Sequence, residues 1–302
     1  MNTATAANNI FGSNNTNVSA NFNRQLNVQM RFRNIEPHPL LKGHIERMWI
    51  FESSGRMPVD DLKLVVPNGN IKLTVAFRNG INVAMNEVSF TSKEHGISLT
   101  GLVDVPVILD VAEDVATGTL CAEFNPQGAY RFFRMPLNDI KNQILPLKDI
   151  LGPVAKQLEE QISNVESVEG KVALLQQFLL GLFLLQEEDS IFEFCVSKII
   201  SSKGKITIKE LEKKTGYSSR WLNMKFTDKL GISPKNLSSV IRFKQYYNAV
   251  AKNEERSFMK NYFYDFYYDQ SHFMKEFRRF TGLSYSGFES KTNDFGKLFY
   301  KE

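Results

Sequence analysis

The sequence contains few of the residues that most often carry metal, redox or acid–base chemistry. Among its 302 residues there are 2 cysteines and 4 histidines. Cys121 and Cys195 each lie in an apolar context, so we expect buried free thiols. The histidines are scattered at positions 38, 44, 95 and 272, and the sequence has neither a nucleophile elbow nor a phosphate-binding loop. This scarcity argues against an enzyme, and we expect no cofactor and no metal site.

Long apolar runs are also missing. No run approaches the roughly 20 residues that a membrane-spanning helix requires. The first 23 residues lack the basic and apolar regions of a secretion signal. We therefore expect a cytoplasmic protein without a membrane partner.

Charge is distributed unevenly along the chain. From Ser190 onward there are 21 Lys and Arg against 12 Asp and Glu, a net charge of +9. The first 189 residues hold the other 16 and 21, a net charge of −5. A basic half is typical of proteins that bind a polyanion, although charge alone leaves DNA, RNA and a membrane surface as alternatives.

The first half of the chain changes character near residue 25. Residues 1–24 are rich in Asn, Thr, Ala and Ser, and we expect a disordered arm because they offer too little apolar surface to offset the entropy of ordering. Alternating apolar residues then predict strands at 26–32, 45–52, 62–66, 71–77, 82–90, 98–102, 105–111 and 118–124. Residues 67–70 and Asn79-Gly80 are predicted hairpin turns. This spacing predicts an antiparallel barrel or sandwich, and a closed barrel of this size can hold one small ligand.

Helical periodicity follows this β-rich region. It predicts helices at 129–135, 147–151, 154–162 and 168–185, which would complete a sensor and dimerisation domain spanning residues 25–188. The last of these helices is apolar nearly all round in its C-terminal half, so it should be buried. Burial within the chain and burial against a second copy are both open, and we expect a homodimer.

A local pattern is repeated between residues 206 and 288. Phe226 and Phe277, Gly231 and Gly282, and Ser233 and Ser284 are each 51 positions apart. Each copy has a polar helix with an apolar pair four residues apart, followed by a glycine turn. A repeat of this period indicates a supersecondary unit made twice, and here the unit is typical of a helix-turn-helix, a motif that binds DNA.

In the first unit, Thr207 and Glu210 form a predicted capping box, and Gly216 takes the turn. Ser218 should cap a recognition helix of about residues 218–229. Arg220 could donate two hydrogen bonds to a guanine edge, and Asn223 could pair with adenine. A solvated helical hairpin is the alternative, which the repeat makes less attractive. The candidate DNA-binding residues are Ser219, Arg220, Asn223, Met224, Lys225 and Thr227.

In the second unit, Ser257 should begin the first helix and Asp269 should cap a recognition helix of about residues 270–280. Phe273, Phe277 and Phe280 are expected to face inward. His272 has no metal-ligand companions, so a surface or phosphate contact is favoured over a ligand role. The candidate DNA-binding residues are Gln270, Ser271, His272, Met274, Lys275 and Arg278. Between the units, Pro234 should begin a long connecting helix through Ala251.

These residues carry a resemblance to a known family. The pattern of the first unit resembles the first helix-turn-helix of the AraC/XylS family of transcription regulators. The residues that carry this resemblance are Ile208, Leu211, 216–218, Leu222 and Phe226, followed by 230–234. Residues 268–284 are similar to the family's signature in its second unit. The resemblance implies a seven-helix DNA-binding domain, here residues 190–290 with a tail at 291–302. Its two recognition helices would enter successive major grooves on one face of the DNA.

The first half has a second, weaker resemblance. Residues 38–40, Trp49, 66–69 and 124–128 resemble an uncharacterised sensor-like domain that precedes such DNA-binding modules. The parallel is with the cupin-like barrels that bind effectors and form dimers in this family. The expected fold is thus α+β, and the expected partners are double-stranded DNA, a small-molecule effector, RNA polymerase and a second copy of the chain.

The chain departs from the family pattern in its second unit. Glu212 and Tyr262 stand where the family has a small residue, and Phe266 replaces the second turn glycine. Packing a large side chain there costs about 1–3 kcal/mol. We therefore expect an irregular first helix in the second unit and more base reading by the first. The alternative is that the first unit alone reads DNA, while the aromatic run 262–268 binds a protein partner.

Overall fold

The structure, a computed structural model, describes residues 30–55, 60–86, 88–111, 115–183, 188–252 and 266–300. Within these ranges, antiparallel strands form the first part of the chain and helices form most of the remainder. The α+β class is therefore confirmed. The predicted arm at residues 1–24 lies outside the described residues.

The strands form two antiparallel sheets. The six-stranded sheet has the order β1-β2-β9-β4-β7-β10, and the four-stranded sheet has the order β3-β8-β5-β6. All pairs within both sheets are antiparallel, as predicted. The strands are β1 Met30–Ile35, β2 Ile45–Ser53, β3 Leu64–Val65, β4 Ile71–Arg78, β5 Ile81–Met85, β6 Val88–Thr91, β7 Ile97–Thr100, β8 Val107–Val111, β9 Thr117–Phe124 and β10 Ile144–Pro146.

Three details of the strand prediction are wrong. Residues 82–90 form two strands, because the backbone of Asn86 has a φ of +50° and breaks the extended run. Residues 67–70 and Asn79-Gly80 turn the chain, but each carries it from one sheet to the other and so forms no hairpin. A turn signal is local, whereas the choice of strand partner depends on residues far away in the sequence. The short strand β10 was not predicted.

The helices follow the predicted positions closely in the C-terminal half. The predicted helix 129–135 is wrong: only a 3₁₀ turn at Ala129–Arg131 forms there. The end of the predicted helix 168–185 lies outside the described residues. The α-helices within the described ranges are α1 Leu147–Leu151, α2 Pro153–Asn164, α3 Val168–Phe183, α4 Ser190–Ser201, α5 Ile208–Thr215, α6 Ser219–Leu230, α7 Pro234–Lys252, α8 Gln270–Thr281, α9 Tyr285–Glu289 and α10 Asp294–Leu298.

Two hydrophobic cores both cross the predicted boundary near residue 189. The first joins sheet residues such as Leu73 and Leu120 to Phe226 of α6. The second joins Trp49 and Phe51 to a larger set from the C-terminal half. The two halves of the chain are therefore packed together through apolar side chains. The C-terminal members of the second core include Val240, Phe243, Tyr246, Tyr247, Phe273, Phe277, Phe280, Phe295, Phe299 and Tyr300.

Candidate nucleic-acid interface and interior cavities

The first predicted recognition helix, α6, begins at the capping residue that the sequence predicts. Thr207 and Glu210 form the capping box of α5, and Gly216 ends that helix with a φ of +76°. The hydroxyl of Ser218 accepts a hydrogen bond from the backbone N–H of Trp221 at 3.3 Å. Leu222 and Phe226 are buried, so the opposite face of α6 is directed away from the core. The signals for turn and cap thus determine which face is presented.

The outer face of α6 contains most of the predicted contact residues of the first unit. Arg220, Asn223, Met224 and Thr227 are exposed, and Met224 is 62% exposed although it is apolar. Ser219 is half-buried at the helix start, where its backbone N–H donates to the carboxylate of Glu212. Glu212 therefore explains one departure from the family pattern. A carboxylate at this position accepts a hydrogen bond from a backbone N–H that has no partner within α6. Its negative charge also interacts favourably with the positive end of the α6 helix dipole.

Among the predicted contact residues of α6, Lys225 forms an ion pair within the protein. Its ammonium group is 2.7 Å from a carboxylate oxygen of Asp189, and Lys229 is 3.4 Å from the same oxygen. Burial of Asp189 would raise its pKa, but the hydrogen bonds from Lys225 and the Phe192 N–H hold that pKa below its ordinary value. Asp189 also caps α4 through Phe192. In this arrangement Lys225 is neutralised by an intramolecular partner instead of extending into solvent.

The second predicted recognition helix, α8, packs against the long helix α7. Phe243 of α7 packs against Phe277 and Phe280 of α8, with ring centroids 5.9 and 4.9 Å apart. Asp269 caps α8 by accepting from the His272 N–H at 2.7 Å, as predicted. The predicted start of this unit at Ser257 lies outside the described residues. Its expected irregularity therefore stays a prediction.

The outer face of α8 also contains its predicted residues. Gln270, Ser271, His272, Lys275 and Arg278 are exposed, while Met274 is half-buried. The His272 imidazole is 3.3 Å from Glu276, and its side chain is 49% exposed. Further along the helix, Arg279 reaches back to Asp104 in the loop before β8 at 2.6 Å. This end of α8 is thereby joined to the β-rich half.

Two tyrosines at equivalent positions of the repeat are not among the predicted DNA contacts. Tyr217 and Tyr268 are 51 residues apart, and each directly precedes the capping residue of a recognition helix. Tyr217 is 39% exposed and stacks on Trp221 at 3.9 Å, and Tyr268 is fully exposed. The spacing of 51 would have revealed the pair. Two exposed tyrosines thus lie at equivalent places beside the starts of α6 and α8.

A buried carboxylate lies at the centre of the β-rich half. Glu123 on β9 is completely buried and pairs with Arg47 at 2.9 Å. It also accepts hydrogen bonds from Trp49 Nε1 at 2.7 Å and from the side-chain amides of Asn68 and Asn70 at 2.9 and 3.0 Å. Burial would raise its pKa, but the charges of Lys72 and Arg47 and the hydrogen bonds from Asn70 and Trp49 lower the pKa to about 2. Glu123 is therefore a permanently charged anchor at neutral pH.

Two cavities adjoin this anchor. A cleft of about 430 Å³ lies between β1, β2 and α7, and its lining includes Glu123, Arg47 and Lys244. A smaller cavity of about 70 Å³ lies between the two sheets, where Val83, Leu109 and Ile144 supply apolar wall and Lys72 and Thr74 supply polar groups. Asn68, Asn70 and Phe299 line both. The buried Asn70 Oδ1 has no hydrogen-bond partner, so an acceptor is available beside both cavities.

Other predicted features can be located directly. Cys121 and Cys195 are buried free thiols, as expected. Among the described residues, no cluster of three His, Cys, Asp or Glu side chains has the arrangement needed to hold a metal ion. Within the same ranges, no helix has the length and apolarity needed to cross a membrane.

Comparisons with known proteins give a partial match. A family described as a domain of unknown function, DUF6597, matches residues 33–146. No curated protein matches the chain. The matched segment covers β2 to β10 and thus lies within the β-rich half.

Several solved structures are broadly similar. An apo variant of ToxT from Vibrio cholerae strain SCE256 is 13% identical, with a TM-score of 0.45 over 82% of this chain and 98% of that one. Wild-type ToxT from the same strain with a bound unsaturated fatty acid is 12% identical, with a TM-score of 0.43 over 83% and 95%. A cupin domain from Schizosaccharomyces pombe is 13% identical, with a TM-score of 0.25 over 32% and 64%. These identities and scores are too low to transfer a ligand or partner.

Proposed function

We propose that this chain is a sequence-specific DNA-binding transcription regulator without enzymatic activity. The observation that carries the proposal is the pair of capped helices α6 and α8, which occupy equivalent places in a repeat of 51 residues and each present a polar outer face. Recognition helices of helix-turn-helix proteins enter the major groove with such faces. The net charge of +9 from Ser190 onward supports a polyanionic partner.

The residues on these faces suit base reading in one unit and phosphate contact in both. Arg220 and Asn223 have the side chains that recognise guanine and adenine edges in the major groove. Lys275 and Arg278 add positive charge on α8, where phosphates would pass. The exposed Tyr217 and Tyr268 extend the same surface by one residue at each helix start. Two helices on one scaffold would address two successive major grooves.

The β-rich half is the proposed sensor. Its cleft of about 430 Å³ falls in the size range of small-molecule sites, and its lining combines charged groups with Phe299 and Tyr300. The proposed effector is a small molecule bound beside the Glu123 anchor. Dimerisation through α3 remains part of the proposal, because Leu174 and Phe178 on that helix are only partly buried in this chain.

Selection of DNA from a genomic library with the purified full-length protein tests the proposed function. We expect enrichment of one motif whose footprint spans two successive major grooves, and binding that weakens steeply between about 50 and 200 mM salt. Repeating the selection with candidate metabolites would identify the effector. A footprint of one groove segment would support the alternative in which the first unit alone reads DNA. Absence of any enriched motif, with salt-independent affinity, would reject the proposal.

Asp189→Asn is expected to strengthen DNA binding at low salt. Asparagine can still cap α4, but it removes the negative charge that neutralises Lys225 and Lys229. The slope of log affinity against log salt should steepen by about 1 for each lysine that then reaches a phosphate. Fluorescence anisotropy over a salt series measures this slope. Asp149→Asn, an equal charge change at an exposed site on α1, should leave the slope unaltered; equal slopes in the two variants would contradict the role of Asp189.

A further inference from the structure

The last described segment, residues 291–300, packs against the β-rich half of the molecule. Its contact is with β3, the edge strand of the four-stranded sheet. The buried Asn293 side chain accepts a hydrogen bond from the Leu64 N–H at 2.9 Å and donates to the Leu64 carbonyl at 2.8 Å. One side chain thus supplies the pairing that a neighbouring strand would give to an open sheet edge.

Hydrogen bonds with Leu62 and Asp61, just before β3, hold the start of this segment in place. The carbonyl of Thr292 accepts from the Leu62 N–H at 2.9 Å. The carboxylate of Asp61 accepts from the N–H groups of Asp294 at 2.6 Å and Phe295 at 3.2 Å, so it caps α10 from another part of the chain. A Cβ atom on Gly296 would lie 2.0 Å from the Leu64 carbonyl oxygen. Only glycine permits this close approach.

The far end of the segment reaches the Glu123 anchor and the cavities. Arg47, which pairs with Glu123, also donates to the Phe299 carbonyl at 2.7 Å. The Phe299 ring packs edge-on against Trp49, with centroids 5.4 Å apart. Tyr300 donates its hydroxyl to the Val66 carbonyl. Of the three residues that line both cavities, Phe299 is the one that belongs to this segment.

The opposite side of the segment contacts α7, the helix that connects the two units. Asn293 makes its third hydrogen bond by donating to the hydroxyl of Tyr247 on α7 at 2.8 Å. The Tyr247 ring packs against Tyr300 at 4.8 Å and against Phe288 at 6.3 Å. Phe288 in turn packs against Phe277 of the recognition helix at 5.5 Å. The segment therefore lies between the cavities and α7, and it is connected to α8 through the rings of Tyr247 and Phe288.

The cavity between the two sheets is too small for an effector, so a side chain that lines it must move before a ligand can enter. A volume of about 70 Å³ accommodates about two water molecules, whereas ligand sites are typically about 300–1,000 Å³. Displacement of the Phe299 ring would join this cavity to the cleft of about 430 Å³. The walls that remain, including Trp49, Val65 and Leu109, suit an apolar molecule carrying a ring.

We propose that residues 291–300 form a regulatory strap. An apolar, ring-bearing effector competes with Phe299 for its place beside Trp49. This competition loosens the strap and with it the packing of Tyr247 and Phe288 that connects the strap to α8. The inference rests on the effector cavity proposed above and is independent of DNA binding. Coupling of this kind is reciprocal, so weakening the strap must also favour the ligand.

Hydrogen exchange and dye binding on the full-length protein test the strap without DNA. Asn293→Ala should raise amide exchange about tenfold in residues 62–66 and also in residues 270–281, because three hydrogen bonds are lost between β3 and α7. Phe299→Ala should raise the fluorescence of the apolar dye 1-anilinonaphthalene-8-sulfonate several-fold. In the wild-type protein, saturating dye should raise exchange in residues 270–281.

Matched variants separate the strap from general destabilisation. Lys297→Ala alters the same segment at a side chain that pairs with Asp294 in its own helix, and it should resemble the wild type. Gly296→Ala should behave like Asn293→Ala, while Gly181→Ala, a helical glycine with open space around it, should not. Exchange in β9 reports global unfolding. If Phe299→Ala does not fold, dye fluorescence is measured on Phe299→Leu instead, because leucine retains apolar volume without the ring.

Two results would overturn the proposal. The first is increased exchange in residues 62–66 of Asn293→Ala with no change in residues 270–281, which would make the segment a cover for the sheet edge alone. The second is dye binding to Phe299→Ala or Phe299→Leu that equals binding to the wild type. Either outcome is informative even where DNA selection fails.

Discussion

Glu123→Gln is expected to lower the free energy of unfolding by about 3 kcal/mol at pH 7. The substitution preserves the shape of the side chain but leaves Arg47 without its buried counter-ion, and it replaces one acceptor oxygen by a donor among groups that already donate. Urea unfolding followed by circular dichroism measures the change. The slope of the unfolding free energy against urea should be unaltered.

The same group predicts the acid side of the stability curve. The pKa of Glu123 is about 2 in the folded protein against 4.5 for the ordinary group. A folded-state pKa below the unfolded value stabilises the protein above pH 4.5, and this stabilisation is lost as pH falls from about 4.5 toward 2. The loss amounts to about 3 kcal/mol in the wild type. In Glu123→Gln this part of the pH dependence should be missing.

Glu36→Gln provides the matched control. Glu36 pairs with Lys42 at 2.9 Å, but its side chain is 86% exposed. Exposed ion pairs contribute about 0–1 kcal/mol, so the control should be close to the wild type. If Glu123→Gln destabilises the protein no more than Glu36→Gln does, the anchor role of Glu123 is wrong.

Arg220→Ala is expected to weaken binding to the selected DNA motif about 10- to 100-fold and to relax the preference at one base position. An arginine can donate two parallel hydrogen bonds to a guanine, whereas a lysine offers a single charge. Lys275→Ala should therefore weaken binding more uniformly across sequences and reduce the salt slope by about 1. Competition binding against a set of single-base variants of the motif measures both effects.

The outcome also tests the unequal use of the two units. Lys213→Ala, an exposed charge on α5 outside both recognition helices, controls for loss of positive charge. If Lys275→Ala relaxes the sequence preference more than Arg220→Ala does, the first unit is not the main reader. If neither variant affects affinity beyond the control, α6 and α8 are not the DNA-binding surface.

Local signals in the sequence were sufficient to predict the caps and the buried faces of α6 and α8. Thr207, Ser218 and Asp269 cap the helices that they were expected to cap, and Gly216 has the expected positive φ. Phe226 and Phe277 are buried as the spacing of four residues required. Capping, turn geometry and amphipathic period act over a few residues, so a single sequence determines them.

Contacts between residues that are far apart in the sequence could not be predicted from local patterns. Residues 67–70 look like a hairpin turn, yet β3 and β4 belong to different sheets because each finds its partner elsewhere in the chain. Lys225 stays a predicted DNA contact, but no local pattern predicts its ion pair with Asp189, which lies 36 residues earlier. The tail at 291–302 carried no motif, although Phe295 and Phe299 complete the second core.

The sequence by itself determined the α+β class, the antiparallel strands and the two capped helices with their polar faces. Only the tertiary structure decided that Glu123 gathers Arg47, Trp49, Asn68 and Asn70 around one carboxylate, and that Asn293 binds β3 to α7. The reason is the range of the interaction. Asn293 and Leu64 are 229 residues apart, and no local pattern encodes a contact that exists only after both halves have packed.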